Sequence, residues 1–131
     1  MLFHATTLIS ESFDRHELKY RINEMKNASE IEAAFSIKGG PTVSVRFISE
    51  NEENAVAVRV FGLINKVPEE KREAVLEACN SLSEGIRFVK FCMNSDADVN
   101  VEYDFLDNVS DECIGECCVE LFSRLMWILN E

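Results

Sequence analysis

Residues 86–106, IRFVKFCMNSDADVNVEYDFL, form two alternating runs separated by Asn94-Ser95-Asp96-Ala97-Asp98. On the second run Val99, Val101, Tyr103 and Phe105 share one face, while Asn100, Glu102 and Asp104 share the other. That is the period of a strand with one buried and one wet face, so the stretch predicts a β-hairpin. Two strands alone are marginal in water. The hairpin must therefore join a larger sheet and be covered by the helical segments that precede and follow it.

The rest of the chain supplies those partners. Thr7 is a candidate N-cap for a helix over residues 8–16, with Leu8, Ile9, Ser12, Phe13 and His16 on one side. The period then changes to two, with Leu18, Tyr20 and Ile22, and after a polar break Ile31, Ala33, Phe35 and Ile37, each alternating with polar or small residues. Lys38-Gly39-Gly40-Pro41 reads as a turn, followed by a third strand carrying Val43, Val45 and Phe47. A fourth strand over residues 55–63 is apolar on both faces except at Arg59, which predicts a central place in the sheet or contact with something beyond it.

Pro68, Glu69 and Glu70 open a second helix, with Val75, Leu76, Cys79 and Leu82 as its expected buried stripe and Gly85 at its end. Ser110 is the expected cap of a last helix over residues 111–130. The order α-β-β-β-β-α-β-β-α predicts an α+β fold: an antiparallel sheet of about six strands with three helices on one face, in a single domain over residues 1–131.

Charge narrows the classes of partner. Thirteen basic against 24 acidic residues leave −11, which repels phosphate backbones and anionic lipid surfaces, so neither nucleic acid nor membrane is an expected partner. No apolar run approaches the ~18 to 20 residues of a membrane span, and MLFHATTLIS lacks the features of a signal peptide. A cytoplasmic location is expected. Five cysteines, three of them within positions 113–118, do not lay out a disulfide framework and are read as reduced.

The run Val67-Pro68-Glu69-Glu70-Lys71-Arg72, then Leu76 and Asn80, then Arg87-Phe88-Val89-Lys90-Phe91 and Val101-Glu102-Tyr103-Asp104, resembles the YbjN-like family of bacterial sensory-transduction regulators. The resemblance spans about residues 40 to 130. The family closes its middle helix with two asparagines three apart; here the second is Ser83. The resemblance implies a fold similar to the type III secretion chaperones and commonly a homodimer. It implies no reaction and no cofactor.

Candidate chemistry is sparse. Cys113, Cys117 and Cys118 offer thiols one helical turn apart, but no second Cys or His pair has the spacing of a four-ligand site. Cys117 and Cys118 fall in the apolar arc of Ile114, Leu121, Leu125 and Ile128, which leaves Cys113 as the one candidate for a reactive thiol. Asp96-x-Asp98-x-Asn100 copies half of a calcium loop but has Val101 where that loop needs glycine. Basic residues on strands one, three and four facing acidic ones on strands two and six predict cross-strand ion pairs rather than a ligand-binding face.

On the last helix Gly115, Val119, Phe122 and Met126 make a second apolar side, and a glycine there predicts the close approach of another backbone. That side fits either a partner or dimer interface or packing against another helix of the chain. The expected function is non-enzymatic: a regulator or chaperone-like binder of an unidentified protein. A type III secretion-type chaperone, a small-molecule sensor using the charged sheet face, and a thiol enzyme using Cys113 are the alternatives. No catalytic, cofactor or metal residue is assigned.

Overall fold

The computed structural model describes residues 2–40, 42–50, 55–85, 89–105 and 111–129, giving only the backbone at 85, 105, 111–112 and 127–129. The elements are α1 (His4–Arg15), β1 (Arg21–Glu24), β2 (Ser29–Ser36), β3 (Thr42–Ser49), β4 (Val56–Ile64), a 3-10 turn Glu69–Lys71, α2 (Arg72–Gly85), β5 (Lys90–Met93), β6 (Val99–Phe105) and α3 (Asp111–Leu129). The strands form one antiparallel sheet in the order β1-β2-β3-β4-β6-β5, so the α+β expectation holds and β4 is central. The expected Ser110 cap, the turn residue Pro41 and the first residues of the hairpin, 86–88, lie outside the described residues, as does the side chain of Ile128.

The chain divides into two compact units, residues 1–58 with 104–131, and residues 59–103. In the first, the alternating pattern sets register. Ile31 lies opposite Phe47, Ala33 opposite Val45 and Phe35 opposite Val43, all buried. A slip of one residue would turn these side chains to water and bring Glu30 and Glu32 under the helices, so register is strongly specified. Above this face α1 and α3 pack along each other. Phe13 is the junction: its ring lies 5.6 Å from Phe47 and 5.8 Å from Phe122, and Phe122 in turn lies 5.8 Å from Phe35.

The start of α1 differs from the sequence expectation. Thr7 is inside the helix, and its N-cap is Phe3, which makes no side-chain cap. A hydroxyl from elsewhere takes that role: the Phe3 amide donates to Ser29 Oγ at 3.1 Å, and Thr6 Oγ1 shares a 2.7 Å hydrogen bond with the same atom. Burial of Phe3 and Ala5 then stabilises the extra turn. At the other end Leu18 N–H reaches the Phe13 carbonyl at 2.9 Å and Glu17 N–H the Asp14 carbonyl at 3.1 Å. This Schellman closure puts Glu17 at φ +56°, a place more often given to glycine.

In the second unit the hairpin turns where expected, and its register sets Phe91 opposite Val101 and Met93 opposite Val99. Asn100, expected on the wet face, is instead buried, because its Oδ1 accepts the Gly62 amide at 2.8 Å. Gly62 stands at φ +64°, where a side chain would also collide with the Asn65 amide. The expected buried stripe of α2 needs correction. Only Cys79 is buried and Val75 half-buried, whereas Leu76 is 49% and Leu82 44% exposed. The helix lies along β5, and two of its four stripe residues face water.

Candidate functional site

The open face of β1, β2 and β3 carries the expected charges, and they are paired. Arg21 donates to Glu32 Oε1 at 2.7 Å and Asn23 to the same oxygen at 2.9 Å, while Arg46 reaches both oxygens of Glu30 at 3.1 Å. The Arg21 hydrogen bond, seconded by Asn23 and the nearby Arg46 charge, holds the Glu32 carboxyl at about 2 instead of 4.5. On the other unit Arg59 lies 3.8 Å from Glu102 and donates to the Tyr103 carbonyl at 3.3 Å. Binding a charged ligand on the first of these faces would require breaking charge-assisted hydrogen bonds already made.

The cysteines separate by depth. Cys118 is fully buried on α3, and burial pushes its thiol well above the ordinary value; Cys117 is half-buried and also raised, by burial first and by Cys113 next. A raised thiol is less thiolate and therefore less nucleophilic. Cys113 and Cys92 are exposed. Among the described residues no group of three His, Cys, Asp or Glu side chains could hold a metal ion. Two side chains of the calcium-like triplet serve the backbone instead: Asp98 Oδ1 accepts the Lys66 amide and Asn100 Oδ1 the Gly62 amide, both at 2.8 Å, while Asn94 Oδ1 accepts the Asp96 and Asp98 amides at 3.0 Å.

His16 and Arg15 both meet Glu116, at 2.8 and 3.1 Å, and tie the exposed rim of α1 to α3; these two hydrogen bonds, His16 first, hold the Glu116 carboxyl below its ordinary value. Beneath them lies the second apolar side of α3. Gly115, Val119 and Phe122 are buried, and Met126 is half-buried. A Cβ on Gly115 would overlap Ser12 Oγ and come within 2.7 Å of the Leu8 carbonyl oxygen. The close backbone approach that the glycine implied is therefore that of α1. Phe122 on the same side packs on Phe13 of α1.

The uncovered apolar surface is elsewhere. A groove of about 550 Å³ runs between α2 and β5, with Leu76, Glu77 and Asn80 on the helix side and Phe91, Cys92 and Met93 on the strand side. Ser83 joins its walls: the Phe91 amide donates to Ser83 Oγ at 2.9 Å and that hydroxyl donates to the Phe91 carbonyl at 3.3 Å. Lys90 Nζ donates to the Ser83 carbonyl at 3.0 Å, satisfying one acceptor of the last helical turn. The departure from the family's second asparagine thus retains a side chain able to both donate and accept, placed on the backbone of an edge strand. Phe61 and Ile64, at the end of β4, are also exposed in this unit. The helical period assigned Leu76, which lines the groove, to the core, and so hid it. The one sequence signal against that assignment is the shortness of the stripe.

Among the described residues no helix is long and apolar enough to cross a membrane. No curated protein and no solved structure matches the chain. A family model described as "Putative bacterial sensory transduction regulator" matches residues 6–118, from the first turn of α1 to the middle of α3 and including Ser83 and the hairpin. With the greater part of its length so matched, the chain belongs to the YbjN family.

Proposed function

We propose that the protein acts through contacts with other proteins, as a regulator or chaperone-like binder, and catalyses no reaction of its own. The observation that carries this reading is the uncovered stripe of α2, where Leu76 and Leu82 stay 49% and 44% exposed. Covering the remaining half of two leucines would contribute about 1 kcal/mol each, enough together for roughly a thirtyfold change in affinity. The likeness to type III secretion chaperones implied by the sequence belongs to the same reading, and so does a homodimer. The internal pairing of Arg21, Glu32, Glu30 and Arg46 weighs against a sensor built on that charged face.

Native mass spectrometry of protein purified gently from its own host tests the proposal. The wild type is expected to carry a protein partner or a second copy, and a Leu76→Ser/Leu82→Ser variant to lose it while keeping its circular dichroism. A small molecule retained at one equivalent by both proteins would sink the reading in favour of a sensor. Substrate-dependent acylation or alkylation of Cys113 alone would sink it in favour of a thiol enzyme.

A further inference from the structure

We infer that the groove between α2 and β5 receives a segment of another protein in which apolar residues alternate with lysine or arginine. The inference rests on the protein-contact reading and names the chemistry of the partner. Three observations carry it. The groove is apolar where Leu76, Phe91 and Met93 line it, and among its described lining residues Glu77 is the one charged group. Glu73 and Glu84 lie on the same side of the helix as Glu77, and α2 has no lysine or arginine after Arg72. Of the cations that flank α2 in sequence, Lys71, Arg72, Arg87 and Lys90, two are engaged with carbonyl groups, Arg72 Nε on Val67 at 3.3 Å and Lys90 on Ser83 at 3.0 Å.

The same charges argue against a second copy in the groove. Two α2 helices brought together would set Glu73, Glu77 and Glu84 against their own images in molecules of net charge −11. A basic segment gains what a second copy would lose. Ser83 also decides how the segment is held, because its hydroxyl occupies both the amide and the carbonyl of Phe91. An incoming chain cannot extend the sheet at that residue, so its side chains, set into the groove, supply the binding.

Cys92 provides a readout confined to the site, since it lines the groove and is exposed, while exposed Cys113 on α3 serves as the control. The probe is a short end-capped peptide alternating leucine and lysine, and the measurement is alkylation by iodoacetamide followed residue by residue in the mass spectrometer. At a peptide concentration about ten times its Kd, Cys92 should react about tenfold more slowly, because only the empty fraction is open, and Cys113 should react unchanged. Peptides with glutamate in place of lysine, or serine in place of leucine, should not protect. Glu77→Lys should abolish protection by the lysine peptide and transfer it to the glutamate peptide; Glu11→Lys, an exposed change on α1, should do neither.

Equal protection by the glutamate peptide, protection of both cysteines, or protection of neither overturns the inference. Cys92 protection that grows with protein concentration in the absence of peptide would assign the groove to a second copy and overturn it too. Peptide binding seen by native mass spectrometry without protection of Cys92 defeats the groove alone. Failure of the contact reading itself would appear as a sensor or enzyme outcome in the experiment on host-purified protein.

Discussion

α3 and α2 are both amphipathic helices beside the sheet, yet the first is covered on two sides and the second on little more than one. On α3, Ile114, Cys118, Leu121 and Leu125 fill one arc, and Gly115, Val119 and Phe122 lie in a second that α1 approaches at Gly115. On α2 the ridge facing β5 is limited to Cys79 and the Ser83 hydroxyl, while Leu76 and Leu82 remain in contact with water. A helix acquires a sealed second side only when another element is long enough to lie along it. α1, with twelve residues, does this for α3, whereas β5, with four, cannot do it for α2. Sealed surface contributes stability, and unsealed surface is available for binding.

The largest test of that contrast compares two truncations. Phe122→Ala removes a ring packed on Phe13 and Phe35 and should cost about 3 to 5 kcal/mol in urea unfolding; Leu82→Ala, from a residue already half in water, should cost under about 1 kcal/mol. Equal costs would mean that α2 is as well covered as α3. Gly115→Ala sharpens the same point. Helix propensity favours alanine by about 1 kcal/mol, but the methyl must displace Ser12 or separate α1 from α3, so a net loss of about 1 to 3 kcal/mol is expected. A gain in stability would show that the two helices are not in close contact.

Acid should act on the sheet of the first unit. The folded carboxyl of Glu32 lies at about 2, below its ordinary 4.5, so its contribution is fully present above 4.5 and is lost as pH falls toward 2. The loss should be on the order of 1 to 2 kcal/mol after solvent screening of its exposed partner Arg21, and Glu32→Gln should flatten that part of the pH profile. An unchanged slope would show that other carboxylates dominate. Ser83→Ala should have the smallest effect, about 1 kcal/mol, with faster amide exchange at Phe91 and little change elsewhere. Unchanged exchange at Phe91 would remove Ser83 from its role at the edge strand.

Much of this arrangement was legible in the residues. Alternation alone located the hairpin and the face that Val99 and Val101 share, and both faces of β4 being apolar pointed to a central place or an outside contact, of which the sheet order shows the first. Gly115 revealed that some backbone comes close to α3, because a glycine inside an apolar helix otherwise costs stability. Which backbone it was did not follow, since two helices of this chain or of another molecule present the same pattern. The candidate groove was less legible still. Helical period gives the direction of Leu76 and Leu82 relative to Cys79, but not whether anything stands in that direction.

What the sequence determined by itself is therefore whatever depends on neighbours a few residues away: strand alternation, the hairpin turn, the apolar arcs of the helices, the acidic side of α2. What only the tertiary structure decided depends on groups far apart in the chain. Ser29 draws the start of α1 back to His4, ahead of the expected Thr7 cap, Asn100 leaves the wet face to accept the Gly62 amide, and α1 comes close at Gly115. Local periodicity fixes which way a side chain points, whereas burial is a property of the space it points into, and that space is filled or left empty by residues tens of positions away.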